Sequence, residues 1–275
     1  MRCIVSPKSI NITWTSLLLN KLSKVTTAII SSFLNNSAIA NISDNLNPKE
    51  LIPMLSGKEF VAQIKEENAG LFAESRSNVR RFFASNPSKE SMIEHFRGRM
   101  VNEAQNMYAI SAEVAAAPAS MPVAELELLT KQAHDEAKHF RMVKEVLEHI
   151  SGEAVDVEAL FAAESAAPQA KGASLLEKYE ASKDAAALAA YQLVAEGRAE
   201  AVWSEMSECV EDSFIADRYA AIAKDEGFHS SIGARKLAEL AEGAAEVQER
   251  IFALVAQMRA DLAEISAKNT AIAVY

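Results

Sequence analysis

The sequence predicts an all-α protein, and three observations carry that expectation. From about residue 54 onward Ala, Glu, Leu, Lys and Met dominate, residues that lose little on entering a helix. Gly and Pro, the helix breakers, number only 9 and 7 in 275 residues. No stretch alternates apolar and polar residues for long enough to make a strand, whereas several long segments repeat their apolar residues at helical spacing.

The first fifty or so residues do not share this composition. They are rich in Asn, Ser, Ile and Thr, with Asp44 as their first acid and Arg2, Lys8, Lys21 and Lys24 supplying positive charge. A targeting peptide has that balance, yet Leu17-Leu18-Leu19 is a short core for one and no apolar run approaches a membrane span. The other reading starts the protein at Met54 and treats residues 1–53 as translated upstream sequence or a cloning scar. Either way 1–53 is an extension expected to be disordered and dispensable for folding, and 54–275 is the helical domain.

Within that domain each element has its own warrant. Phe60, Ile64, Leu71, Phe72, Phe82 and Phe83 give a leading amphipathic helix from Lys58 to about Ser85, weakened at Gly70. Asn86-Pro87-Ser88 breaks it, with Ser88 placed to cap the next helix. That helix runs from Lys89 to Ala116 on a stripe of Met92, Phe96, Met100, Met107, Ile110 and Val114. Pro118 and Pro122 bracket a turn, and a third helix follows to Ile150 and ends at Gly152. The connection from Gly152 to about Lys183 holds Pro168 and Gly172, with helical pieces near Glu158–Ala163 and Leu175–Ala181. A further helix covers Asp184 to Glu211, and Ser213 is the expected cap of its successor, which reaches Glu242. Gly243 allows a break before the last helix, Ala245 to about Lys268, striped by Val247, Ile251, Val255, Met258 and Leu262.

A net charge of −10 argues against nucleic acid as a partner, since phosphate backbones need basic surfaces. The two cysteines, Cys3 and Cys209, make no disulfide framework and no Cys-x-x-Cys pair, so a reducing cytoplasm is the default expectation. No membrane role is expected.

Chemistry enters with Asp135-Glu136-Ala137-Lys138-His139 and Asp225-Glu226-Gly227-Phe228-His229, the same Asp-Glu-x-x-His pattern twice. Glu and His three apart project from one helix face. Two such pairs, each joined by a lone Glu from another helix, make the ligand set of a di-iron or di-manganese centre in a four-helix bundle. His95, His134 and His149 lack a Glu three residues back and read as ordinary helix-surface histidines.

Hairpin geometry selects the lone Glu of the first half. With the turn near Ser120, Glu103 lies about 17 residues before it and Glu136 about 16 after, at nearly equal height on antiparallel helices. Glu113 would sit about 15 Å off that level. The second hairpin is less decisive. With a turn near Asp212, Glu196 and Glu200 lie about equally far from the level of Glu226. The spacing decides: Glu103 and Glu136 are 33 apart, which Glu196–Glu226 at 30 resembles more than Glu200–Glu226 at 26. Glu196 is therefore the expected ligand, and Glu200 stays open as an alternative or additional carboxylate.

The order Glu103, Asp135-Glu136-x-x-His139, Glu196, Asp225-Glu226-x-x-His229 resembles the ferritin-like di-iron carboxylate superfamily over roughly residues 89–242. The resemblance implies a ferritin-like four-helix bundle with a long crossover between its second and third helices, plus flanking helices. It implies Glu103, Glu136, His139, Glu196, Glu226 and His229 as ligands of two iron ions, with manganese as the alternative metal. It also implies that Asp135 orients His229 and Asp225 orients His139. Met107, Tyr108, Phe140, Trp203 and Phe228 are candidates for an apolar lining, though helix-core packing alone would also account for them. The leading functional expectation is a non-heme di-iron oxidoreductase that activates dioxygen to oxidise a small organic molecule, with an electron donor as a further partner and a homo-oligomer allowed. Two others stand beside it: a ferroxidase or iron-handling protein, and a helical interaction module whose metal is structural or absent. No Cys-x-x-Cys pair supports a rubrerythrin-like reading.

Overall fold

Helix formation starts from well-marked caps. The computed structural model describes residues 55–166 and 173–273; residues 1–53, the Met54 start, Pro168 and Gly172 lie outside the described residues. Helix α1, Gly57–Ala84, opens with a capping box in which Ser56 accepts from Glu59 N and the Glu59 carboxylate accepts from Ser56 N at 3.0 Å. Helix α2, Lys89–Ala116, is capped by Ser88, whose hydroxyl accepts from Ser91 N. Helix α3, Val123–Ser151, follows Pro122 and ends on Gly152 in the left-handed region at φ 79°, where glycine carries no Cβ penalty. Short helices α4, Val157–Ala166, and α5, Ser174–Lys178, occupy the connection.

The next helix differs from the continuous one expected over Asp184–Glu211. Its α-helical start, α6, Ala185–Tyr191, passes into a π-helical segment, Gln192–Glu196, before resuming as α7, Gly197–Cys209. Helix α8, Ser213–Ala241, is capped by Asp212 rather than Ser213: the Asp212 carboxylate accepts from Phe214 N at 2.9 Å. The last helix, α9, spans Ala245–Ala273 after Gly243 at φ 68°.

Long helices pack as a bundle. Helix α2 lies along α3, α7 along α8, and α3 meets α8, while α1 covers α7 and α8 and α9 packs on α1, α6 and α8. Among the described residues there is no strand, and no helix is long and apolar enough to cross a membrane.

Two apolar clusters fill the interior. One joins Phe60, Ile64, Ile110, Leu129, Val194 and Leu237 to Ile251, Val255 and Met258 of α9. The other joins Phe96, Met100, Val143, Val202, Trp203, Tyr219 and Ile222. Each bundle helix contributes to both, and the stretch between its two contributions holds Glu103 on α2, Glu136 and His139 on α3, Glu196 at the end of the π segment, and Glu226 and His229 on α8. The bundle thus carries a buried charged layer between two hydrophobic plugs, which keep water from it along the bundle axis.

Candidate metal centre

Glu103, Glu136, His139, Glu196, Glu226 and His229 come together in this layer, each at most 1% exposed. They form two overlapping groups: Glu103, Glu136, His139 and Glu226 in one, and Glu136, Glu196, Glu226 and His229 in the other. Within each group the donor atoms lie within 4.8 Å of one another, so the cluster could hold a metal ion.

Glu136 and Glu226 belong to both groups, one oxygen to each. Glu136 Oε2 lies 3.6 Å and Glu226 Oε1 3.5 Å from His139 Nδ1. Their other oxygens face His229 Nδ1, Glu136 Oε1 at 3.5 Å and Glu226 Oε2 at 3.4 Å. Glu103 Oε2 stands 3.6 Å from His139 Nδ1 and belongs to the first group alone. A Glu and a His three apart therefore do not serve one position by themselves; each motif Glu spans both.

The far side of each imidazole is held by the aspartate of the opposite motif. Asp135 Oδ2 lies 3.1 Å from His229 Nε2, and Asp225 Oδ2 lies 3.3 Å from His139 Nε2. With Nε2–H donated outward to the aspartate, a neutral ring would turn its Nδ1 lone pair toward the carboxylates. Lys138 then pairs with both aspartates, and Lys131 with Asp135, on the half-exposed outer side. Burial opposes ionisation of Asp135, but His229, Lys131 and Lys138 outweigh it and hold the carboxyl below its usual range. The same balance, from His139 and Lys138, lowers Asp225.

The inner groups behave oppositely. Burial, together with Glu196 and Glu103, pushes the Glu136 carboxyl up to about 7 against the pull of His139. Burial and then Glu196 and Glu136 push Glu226 well above its ordinary value. Burial disfavours a charged His139, yet Asp225, Glu103 and Glu136 more than offset it and raise the ring to about 11.

Unpartnered atoms test whether cations fit. Glu103 Oε2, both oxygens of Glu136, Glu226 Oε1 and His139 Nδ1 are buried with no hydrogen-bond partner. Leaving a charged group buried and unpaired costs several kcal/mol. Four carboxylates around two imidazoles are a donor set that suits divalent metal in charge and in donor type, once the protons they hold are displaced.

Glu200 lies outside both groups. It is half-buried and borders a pocket of about 310 Å³ lined by Phe72, Leu193, Gly197 and Ser230. Glu113 is also outside and lines a groove of about 810 Å³ with Gln105 and Tyr108. Tyr108 is 64% exposed and does not line the centre, because five residues past Glu103 is a turn of about 140° around the helix. Phe140 packs on Phe161, Trp203 on Tyr219, and Phe228 lies under Lys131 Nζ. Gly227 has only the Glu200 side chain beside it, at ordinary contact distance. His134 and His149 are exposed, the latter paired with Asp212 at 2.7 Å. His95 departs from a surface role: its ring stacks on Phe82 at 4.6 Å, and burial with Arg99 lowers it to about 3.

Three residues near the carboxylates carry no motif to announce them. Gln132 Nε2 donates to Glu196 Oε1 at 2.9 Å, and Gln192 Nε2 donates to Gln132 Oε1 at 2.8 Å. Tyr191 is fully buried, and burial with the charges of Glu196, Glu136, Glu226 and Glu103 drives its hydroxyl far above the usual range. The available signal is positional: Gln132 and Gln192 each precede a candidate ligand by one helical turn.

Compared with known proteins, the chain matches no family model, no curated protein and no solved structure.

Proposed function

We propose that this chain is a non-heme di-iron oxidoreductase on a ferritin-like bundle, activating dioxygen to oxidise a small organic substrate. The observation that carries the reading is the pair of buried groups sharing Glu136 and Glu226, with four carboxylates and two Nδ1 atoms converging. Oxygen-rich ligands with two imidazoles suit iron, with manganese next, better than a thiolate-seeking metal. Glu103 and His139 would complete one position, and Glu196 and His229 the other. Two ferrous ions, when bound, would supply the electrons that dioxygen needs for activation.

The chain's own residues prepare for this. Asp135 and Asp225 fix the ring orientation of the opposite histidines. The apolar plugs would exclude water along the axis and so limit side reactions of the centre. Glu103 and Glu136 keep buried oxygens without hydrogen-bond partners, and these would serve as donors to the metal.

The test is elemental analysis of anaerobically purified protein, then oxygen uptake by the ferrous form with and without candidate small organic substrates. Two irons per chain and substrate-dependent uptake are expected. Catalytic turnover on added ferrous iron with assembly of a shell would favour an iron-handling role instead. A ferrous protein stable in air would overturn the oxidoreductase reading and favour a structural bundle. Glu196→Ala is expected to suppress oxygen reactivity at least tenfold, and Glu200→Ala to leave it within about threefold.

A further inference from the structure

The two metal positions have matching ligands but different supports. Of the four carboxylates, Glu196 is the one held by an uncharged amide donor. Gln132 Nε2 reaches its Oε1 at 2.9 Å, and Gln192 Nε2 fixes the Gln132 carbonyl at 2.8 Å. The chain Gln192–Gln132–Glu196 is buried throughout, at 4%, 0% and 1% exposure. A primary amide has distinct donor and acceptor ends. Gln192 donates to the carbonyl of Gln132 and so forces its NH₂ toward Glu196.

Among the described residues no amide donor holds Glu103. Its Oε2 is buried with no partner, and Asn106, one turn further along α2, has a buried Oδ1 that is also unpartnered. The Glu103 carboxylate is thus placed by packing beside His139, whereas Glu196 is also oriented by a hydrogen bond. Losing a partner that orients a metal ligand typically weakens metal binding by about 10–100-fold. Because both glutamines are neutral, they position Glu196 without changing the net charge of the centre.

We infer that the two positions are inequivalent and fill in order: the Glu196–His229 position binds first and tighter, and Gln132 is the positioning residue that makes it so. This rests on the metal-centre reading above. After one equivalent the Glu103–His139 position would still be empty, and Glu103 would take its place as a ligand only with the second ion.

The probe is manganese(II) added to metal-free protein, followed by calorimetry and electron paramagnetic resonance. Wild type is expected to bind in two resolved steps. The isolated-ion spectrum should dominate at one equivalent, and a spin-coupled pair should replace it at two. Glu103→Ala is expected to keep the tight step and lose the second. Gln132→Met is expected to weaken the tight step about tenfold, in line with the usual cost of losing a residue that orients a metal ligand, and to leave the weak step in place. Gln192→Met, which frees the Gln132 amide to flip, should shift the tight step the same way by less, and it serves as the second variant if Gln132→Met folds poorly. Two ions bound in one uniform step, or a Gln132→Met variant that weakens both steps alike, would overturn the ordering and leave the metal centre standing. If wild type takes up no manganese or iron, the metal-centre reading itself fails.

Discussion

The two hairpins that build the buried cluster bring two carboxylates and one imidazole each to it by different routes. The first, α2 and α3, is made of unbroken helices 28 and 29 residues long, joined through a Pro-bracketed turn. The second interrupts its leading helix with the five-residue π segment Gln192–Glu196, and Glu196 is the last residue of that segment. There α8 comes in close: a Cβ at Gly233 would lie 2.4 Å from the Ala189 carbonyl oxygen and 2.7 Å from Gln192 Cβ. The first hairpin gets its register from local turn chemistry, whereas the second gets it from tertiary contact. π-Helical turns cluster at functional sites because an extra residue in the turn re-aims the side chains around it.

The largest effect is expected where that contact is broken. Gly233→Val should drive the π segment off α8 and destabilise the fold by about 3 kcal/mol, the upper end for overpacking. Thermal unfolding followed by circular dichroism should register a fall of roughly 6–12 °C, with metal uptake at the Glu196 position lost before that at the Glu103 position. A variant as stable as wild type would show that the second hairpin does not depend on this approach.

Next come the histidines, one from each hairpin. His139→Ala and His229→Ala should each cut bound metal from two ions per chain to one or fewer, while His95→Ala should leave stoichiometry unchanged. Equal behaviour of all three in elemental analysis would break the assignment of one imidazole to each position.

Protons should compete with metal. In the metal-free chain Glu136 is raised to about 7, Glu226 is raised, and His139 is raised to about 11, so the folded state holds more protons than the unfolded one. The carboxyl contribution is fully present below about pH 4.5 and is lost as pH climbs through 7; that of His139 is present below about 6.5 and is lost toward 11. Asp135 and Asp225, lowered instead, add stability above about pH 4 and lose it in acid. Melting temperature of the metal-free protein should therefore fall between pH 5 and 9, and divalent metal should flatten or reverse that fall. A metal-free protein that gains stability over this range would contradict the buried protonated layer.

The smallest effect concerns the other glycine of α8. Gly227 meets only Glu200 Cγ at 3.4 Å, so Gly227→Ala should fit and add up to about 1 kcal/mol of helix propensity. Set against Gly233→Val, it separates a glycine needed for contact from one that is not.

Much of this was legible in the sequence, for reasons that differ by residue. Ser88, Gly152 and Gly243 mark boundaries because capping is local chemistry. The level of Glu103 with Glu136 follows from the constant rise of two regular helices about a short turn. The run Ala185-Ala186-Ala187-Leu188-Ala189-Ala190-Tyr191 is apolar all round, so no periodic signal exposes the π segment that follows it. Gln132 and Gln192 are invisible for another reason. A glutamine on a helix is usually a surface residue, and only the meeting of α3 with the π segment turns these two into a buried chain.

The crossed pairing of Asp135 with His229 and Asp225 with His139 ties the chemistry to assembly. Either hairpin alone owns two carboxylates and one imidazole, but its histidine is oriented by an aspartate that it does not possess. The centre is therefore a product of docking, completed only when α3 and α8 lie side by side with Lys138 joined to both aspartates. A metal that binds only this docked form favours it by mass action. An unfolding chain would surrender both ions in the same event that separates its halves.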